Sequence, residues 1–175
     1  KDPFPFDLLH WNGDSTRMPA AMHSFYLRNM YLKNKLREPG GITLAGVPID
    51  ITAAQVPAYF ISTVEDHIAP WQSTYAGARL LKGPVRFVLG GSGHIAGIIN
   101  PPVANKYGYW THDELPPNAQ DWLAAAAQQG GSWWSDWAAW AGKLAGPRIA
   151  AREPGGKQHP PLEDAPGSYV QRRIA

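Results

Sequence analysis

Cysteine is absent from all 175 residues, so disulfides, thiolate metal sites and a cysteine nucleophile are excluded within this chain. No apolar run approaches the roughly 18 residues that a membrane-spanning helix needs, and the sequence shows no secretory signal. Excess charge is lacking as well, because 16 basic and 14 acidic side chains leave a formal net charge of +2. Without a basic surplus, neither nucleic acid nor an anionic membrane is an expected partner.

Glycine and proline are plentiful, with 18 and 17 copies. Together they form about a fifth of the chain, against an average of roughly 12%. They stand between apolar segments, which predicts many short elements rather than disorder. The first residues, KDPFPFD, read as the interior of a longer polypeptide, so we expect this chain to be part of one.

Composition and spacing divide the chain into three segments. Residues 1–41 are predicted to be mainly helical, with Asp14 and the two residues after it as a helix cap. Residues 42–145 carry the apolar runs of an α/β core, beginning with an irregular edge strand or hairpin over Ile42–Ile51. Residues 146–175 are polar and rich in proline, glycine and charge, which predicts an extended tail.

The centre of the core segment predicts a β–α–β crossover. Val56–Ser62 and Val85–Leu89 are short apolar runs typical of buried parallel strands. Between them, a helix is predicted from Pro70 to Leu81, ending at a Gly-Pro pair. Two more helices are predicted over residues 118–129 and 133–144. The pattern indicates the α/β class.

Two functional side chains follow the two predicted strands. Asp66 lies four residues after Ser62, and His94 lies five residues after Leu89. The carboxyl ends of neighbouring parallel strands share one sheet edge, where functional groups usually collect. A carboxylate that accepts the imidazole N–H fixes the tautomer and makes the other ring nitrogen a competent base. We therefore predict an Asp66–His94 pair.

Simpler interpretations of the same residues stay open. Asp66 is a reasonable cap for the helix that follows it, and a histidine after a glycine turn is often only solvated. His67 adjoins Asp66 and competes for the role of base, while Asp14 is a second candidate acid. Ser92 in Gly-Gly-Ser-Gly-His departs from a nucleophile elbow at its last position, so we predict a turn residue there.

Five motifs together resemble class I polyhydroxyalkanoate synthases over residues 8–145, where they occur in the same order: WNGDSTRMP, FYLRNMYLKNKL, EDHIAPW, GGSGHIAGIINPP and GSWWSDWAAW. The resemblance implies the C-terminal part of an α/β-hydrolase fold with a Cys–His–Asp triad. By motif, Asp66 is similar to the triad aspartate and His94 to the triad histidine. The family's cysteine has no counterpart here, so the resemblance implies a nucleophile upstream and an isolated chain without turnover.

The resemblance also implies an activity and a setting. Such synthases polymerise (R)-3-hydroxyacyl-CoA into polyester and release CoA, in the cytoplasm at polyester granules. The implied partners are the acyl-CoA, the growing polyester, the granule surface, the upstream part of the polypeptide and, as an option, a second copy of the chain. No cofactor is expected. The six scattered histidines show no metal-ligand spacing, so no metal site is predicted either.

Two regions have alternative interpretations. Residues 1–41 resemble the family's cap over the active-site entrance, so Phe25, Tyr26 and Tyr31 either line a lid or a subunit contact or pack in the core, with core packing preferred. In the predicted helix 133–144, the tryptophans at 133, 137 and 140 share one face. They either anchor this segment to the core or form a surface for insoluble polymer. Competing functions are an esterase or polyester depolymerase of the same fold, and a non-catalytic polymer-binding module.

Overall fold

The structure is a computed structural model that describes Gly13, Ser15, residues 17–169 and Arg172. The chain divides into two units, of which Arg28–Gly146 forms one, and Lys1–Leu27 with Pro147–Ala175 the other. The predicted cap at Asp14, and the candidate role of that residue as an acid, lie outside the described residues.

The described residues form four α-helices and six strands. The helices are α1 (Ala20–Tyr26), α2 (Trp71–Ala78), α3 (Ala119–Ala125) and α4 (Trp134–Gly142). The strands are β1 (Ile42–Leu44), β2 (Val47–Ile49), β3 (Ala58–Thr63), β4 (Val85–Gly90), β5 (Tyr109–Thr111) and β6 (Ala127–Gln129). Single turns of π-helix or 3₁₀-helix lie at Leu27–Leu32, Lys35–Arg37, Ile51–Ala53 and Pro102–Ala104.

The predicted crossover is confirmed. Strands β3 and β4 are parallel, with Ala58 opposite Val85 and Thr63 opposite Gly90, and α2 lies between them in the chain. Pro70 is the residue that precedes the helix. The α/β class is therefore confirmed, and the carboxyl ends of β3 and β4 lie side by side.

An aromatic cluster forms the core between α2 and the sheet. Tyr75 of α2 meets Phe87 of β4 edge to face, with ring centroids 5.0 Å apart. Phe87 meets Trp122 of α3 in the same geometry at 4.9 Å, and all three side chains are fully buried. Such edge-to-face pairs contribute about 0.5–1.5 kcal/mol each beyond the burial of apolar area. This packing fixes α2, and with it the connection between the two parallel strands.

The sheet differs from the prediction beyond β4. Its order is β3-β4-β5-β6, and both pairs after β4 are antiparallel, so the sheet is mixed. The helix predicted over residues 118–129 is wrong in its last third, since α3 ends at Ala125 and β6 follows. The reason is tertiary pairing, because Gln128 lies opposite Trp110 of β5. The helix predicted over residues 133–144 is confirmed as α4.

The remaining segments are simpler. Strands β1 and β2 form an antiparallel hairpin, as one of the two interpretations predicted, and Ala45 and Gly46 turn it with positive φ.

Core packing is wrong for Tyr26 and Tyr31, whose side chains are exposed. Residues 147–168 form turns, bends and one isolated bridge rather than helix or strand. In the described part of the chain, every helix is too short or too polar to cross a membrane.

Candidate active site

Asp66 and His94 lie in contact at the carboxyl ends of β3 and β4. Asp66 follows β3 by three residues and His94 follows β4 by four. The imidazole Nδ1–H donates to Asp66 Oδ2 across 2.7 Å. Two residues that are 28 positions apart in the chain are thus joined because their strands are hydrogen-bonded neighbours in parallel register.

The second oxygen of Asp66 holds its own loop in shape. Oδ1 accepts the backbone N–H groups of Ile68 and Ala69, each at 2.9 Å. This is a turn closed by an aspartate side chain, and it differs from the predicted helix cap because the cap residue of α2 is Pro70. The predicted helix cap is therefore wrong, whereas the predicted contact with His94 is present: one oxygen of Asp66 holds the loop and the other binds the histidine.

The environment of Asp66 keeps its carboxylate ionised. Its side chain is only 8% exposed, and that burial opposes ionisation. Hydrogen bonds from His94 and from the Ala69 and Ile68 N–H groups outweigh burial and lower the pKa of Asp66 to about 2. At neutral pH the carboxylate is a permanent acceptor, which fixes His94 in the Nδ1–H tautomer.

His94 leaves its other ring nitrogen available. The side chain is 45% exposed, and within the described residues Nε2 takes part in no hydrogen bond. An imidazole held at Nδ1 and open at Nε2 is the arrangement of a general base. His67, the rival base, is exposed and has no hydrogen bond to Asp66 or to any other described side chain.

The loops that carry the pair are joined to each other. The N–H of Val64 donates to the Gly90 carbonyl at 2.9 Å and extends the parallel ladder past both strands. The N–H of Glu65 then donates to the carbonyl of Ser92 at 3.1 Å. Ser92 has a φ of +70°, so the predicted turn residue is confirmed. These bonds hold the two loops side by side at the point where the pair forms.

Residues 91–101, here called the histidine loop, fold too tightly for a side chain at one of their glycines. A Cβ added at Gly97 would collide with the Thr63 methyl group and would lie 2.5 Å from the Gly91 carbonyl oxygen. Contacts that short do not occur in proteins, so the close approach of the loop to the end of β3 requires glycine here.

A second carboxylate cluster escaped the sequence analysis. Asp136 of α4 accepts hydrogen bonds from Arg86 Nε at 2.7 Å and from the Tyr59 hydroxyl at 2.9 Å. Arg86 Nη2 completes a bidentate pair with the other carboxylate oxygen. Burial opposes ionisation of Asp136, but Arg86 and Tyr59 hold its pKa below the ordinary value of 3.8. The available signal was a single charged residue in each of two apolar segments, VRFVL and WSDWAAW.

Of the three tryptophans predicted to share one face, Trp133 and Trp140 pack against the sheet, as the anchoring interpretation expected, whereas Trp137 does not. The rings of Trp133 and Trp140 lie 6.1 Å and 5.3 Å from the ring of Tyr59 on β3. Trp137 is exposed, and it lines an open apolar groove of about 590 Å³. The other large side chains of the groove are Ile98, Ile99, Pro102, Trp133 and Trp134.

Comparisons with known proteins agree on one family of enzymes, although no protein-family model matches the chain. The poly(3-hydroxyalkanoate) polymerase subunit PhaC of Cupriavidus necator is 49% identical over 172 residues, which are 98% of this chain and 29% of that protein. Its namesake in Rhizobium meliloti is 49% identical over 173 residues, or 99% of this chain and 28% of that protein. The chain is homologous to poly(3-hydroxyalkanoate) polymerases. The resemblance found in the motifs is thereby confirmed.

More distant relatives show the same limits of coverage. Poly(3-hydroxyalkanoate) polymerase 2 of Ectopseudomonas oleovorans is 42% identical over 174 residues, or 99% of this chain and 31% of that protein. The chain thus spans between 27% and 31% of the length of the polymerases that it matches. Among the described residues, no three histidine or acidic side chains are grouped as metal ligands.

Proposed function

We propose that this chain supplies the aspartate and histidine of a Cys–His–Asp triad in an enzyme that polymerises (R)-3-hydroxyacyl-CoA into polyhydroxyalkanoate. The observation that carries the proposal is the 2.7 Å hydrogen bond between His94 Nδ1 and Asp66 at the shared edge of two parallel strands. The polymerases homologous to the chain support the substrate class. Both the activity and the catalytic roles of Asp66 and His94 belong to this proposal.

In the first step, His94 takes the proton of a cysteine thiol. The thiolate attacks the thioester carbonyl of the acyl-CoA, and the tetrahedral intermediate collapses with cleavage of the bond to the CoA sulfur. The imidazolium returns its proton to the departing CoA thiolate, so the base is regenerated. Asp66 stabilises the imidazolium between the two transfers, because its carboxylate is ionised and 2.7 Å from Nδ1.

In the second step, a 3-hydroxyl group must lose a proton as it attacks the acyl-cysteine. The choice of base lies between His94 and Asp66. With a pKa of about 2, Asp66 is a weak base, and both its oxygens already accept hydrogen bonds. We assign the step to His94 Nε2, which gives the same proton to the cysteine sulfur when the new ester forms.

The nucleophile, in this proposal, comes from the remainder of a longer polypeptide. The chain lacks cysteine and spans less than a third of its relatives. The crossover from β3 to β4 supports assignment to the C-terminal part of an α/β-hydrolase fold. We also propose that residues 1–41 form a cap, residues 42–145 the core and residues 146–175 a tail. The enzyme is proposed to belong to class I and to lie at polyester granules in the cytoplasm. A second copy of the chain is a proposed partner.

Product analysis tests the activity. A polymerase-length polypeptide that contains this chain should release CoA from (R)-3-hydroxybutyryl-CoA and form polyester, whereas an esterase or depolymerase would give free 3-hydroxybutyrate. The 175 residues alone should release no CoA. Free acid as the main product, or turnover by the isolated chain, would contradict the proposal.

A non-catalytic polymer-binding module is the second candidate, and the apolar groove beside Trp137 favours it. Trp137→Ser would remove the exposed wall of the groove while leaving Asp66 and His94 in place. Under this alternative, the variant loses sedimentation with polyester particles, and CoA release is absent from every form of the protein. Binding that survives the substitution would count against it.

A further inference from the structure

Two tryptophans at the start of α4 donate hydrogen bonds to the histidine loop. Trp133 Nε1–H donates to the carbonyl oxygen of Gly97 at 3.1 Å. Trp134 Nε1–H donates to the carbonyl oxygen of Ile98 at 2.9 Å. These acceptors lie three and four residues after His94, so both indoles hold the segment that carries the imidazole.

A third donor from the same stretch completes the attachment. The Ser132 hydroxyl donates to the carbonyl of Asn100, and the same oxygen accepts the backbone N–H of Trp134 at 3.1 Å. The Asn100 side chain donates to the Lys106 carbonyl at 2.9 Å. Three consecutive side chains of one segment therefore bind three carbonyls within four residues of the other.

The carbonyls of the histidine loop need these donors. Gly97 and Asn100 are buried, and no backbone N–H of the described residues donates to the carbonyls of Gly97, Ile98 or Asn100. A buried carbonyl without a donor costs free energy comparable to a lost hydrogen bond. Side chains of Ser132, Trp133 and Trp134, at and just before the start of α4, thus replace the ladder or helix bonds that an irregular loop lacks.

The helix that supplies the donors is itself fixed to the two strands that precede the pair. Asp136 of α4 is bound to Arg86 of β4 and to Tyr59 of β3. Asp66 and His94 follow these same strands. The two strands that lead to Asp66 and His94 therefore also hold α4, and the residues at the start of α4 hold the histidine loop.

We propose that Trp133 and Trp134 are positioning residues, whose indole N–H groups hold the histidine loop so that His94 stays within hydrogen-bonding distance of Asp66. The proposal rests on the catalytic function proposed above, and it assigns the start of α4 a role in the reaction. A displacement near 1 Å at a catalytic group lowers turnover by about 100-fold. The two indole hydrogen bonds therefore matter for turnover, because they hold the histidine loop against such a displacement.

The test removes the two N–H groups and keeps aromatic rings in place. The variant is Trp133→Phe combined with Trp134→Phe, and each single substitution is made as a milder form in case the double variant unfolds. Trp140→Phe is the matched control, because this tryptophan lies on the same helix and its Nε1 donates no hydrogen bond within the described part of the chain.

The first measurement is the tautomer of His94 in the 175-residue chain. Nitrogen-15 NMR that correlates ring nitrogens with carbon-bound protons reports the tautomer directly, and His94→Gln assigns the signal. The wild-type chain and the control should show the Nδ1–H form. The Phe variants should show a mixture of both forms, because a histidine released from its acceptor exchanges between them.

The second measurement is CoA release by the polymerase-length polypeptide. The double variant should lose about 10- to 100-fold in kcat with little change in KM, since phenylalanine keeps an aromatic ring at both positions of the apolar groove. If the Phe variants show a mixture of tautomers and even the wild-type polypeptide releases no CoA, the positioning role is upheld and the proposed function is refuted. A pure Nδ1–H tautomer in the folded Phe variants would overturn the positioning proposal, whatever the turnover.

Discussion

Asp66 and Asp136 are two carboxylates in the same unit, each held by several donors and each with a lowered pKa. Asp136 is bound to a guanidinium and a phenol, and neither group can take up a proton at neutral pH. Asp66 is bound to an imidazole that is 45% exposed and keeps one ring nitrogen available. The groups bound to Asp136 therefore exchange no proton at neutral pH, whereas the imidazole bound to Asp66 is able to do so.

The difference shows that a paired carboxylate does not by itself mark an active site. Both clusters join residues far apart in the chain, 28 positions for Asp66 with His94 and 50 for Asp136 with Arg86. What distinguishes them is the unused titratable nitrogen at an accessible sheet edge. We therefore assign chemistry to the Asp66 cluster and attachment of α4 to the Asp136 cluster.

Replacing each aspartate by asparagine should separate the two roles most widely. Asp66→Asn offers an amide to the imidazole and stabilises the wrong tautomer, so turnover should fall on the order of 10³- to 10⁴-fold. Asp136→Asn changes a residue of α4 that has no hydrogen bond to Asp66 or His94, so turnover should fall by no more than about tenfold, or 1.4 kcal/mol in the barrier. Steady-state CoA release by the polymerase-length polypeptide measures both. Equal losses would remove the distinction between the clusters.

The free energy of unfolding should depend strongly on Asp136 and little on Asp113, the other carboxylate bound to Arg86. Asp136→Ala leaves the partly buried Arg86 guanidinium and the Tyr59 hydroxyl without their acceptor, at a cost of about 2–3 kcal/mol in the free energy of unfolding. Asp113→Ala is the control, because this partner of Arg86 is 95% exposed at 3.3 Å and should contribute about 0.5 kcal/mol or less. Urea unfolding of the chain gives both values. Similar losses of stability in the two variants would mean that burial does not determine how strongly Arg86 is bound to each aspartate.

Acid should reveal a smaller effect at Asp66. A carboxylate whose pKa is lower in the folded than in the unfolded state stabilises the fold above its unfolded pKa, and that contribution disappears as pH falls through the folded pKa. For Asp66 this interval lies between pH 3.8 and about 2. Any stability advantage of the wild-type chain over Asp66→Asn should shrink across it. Urea titrations at several acidic pH values test this, and a constant difference would refute the assignment.

The sequence allowed the crossover and the pair to be predicted because both depend on local patterns. Apolar runs bounded by glycine and proline define β3 and β4, and the positions of Asp66 and His94 just beyond them follow from chain direction. Parallel pairing then brings the two loops together without further information.

The sequence did not allow the edge of the sheet to be predicted. Residues 127–129 continue an alanine-rich helical pattern, yet they pair with β5, because tertiary hydrogen bonding outweighs a weak local preference. Tryptophan spacing correctly predicted that Trp133 and Trp140 pack, but it placed the exposed Trp137 on the same face. The hydrogen bonds from Trp133 and Trp134 to Gly97 and Ile98 join residues that are 36 positions apart in the chain. No periodicity encodes such contacts.

The most direct test of the catalytic pair compares two histidines that both lie near Asp66. CoA release from (R)-3-hydroxybutyryl-CoA is measured for the polymerase-length polypeptide carrying His94→Ala or His67→Ala. We predict that His94→Ala lowers turnover by about 10³-fold or more, and that His67→Ala stays close to wild type. Undiminished turnover by the His94 variant, or a comparable loss in the His67 variant, would contradict the role of the Asp66–His94 pair.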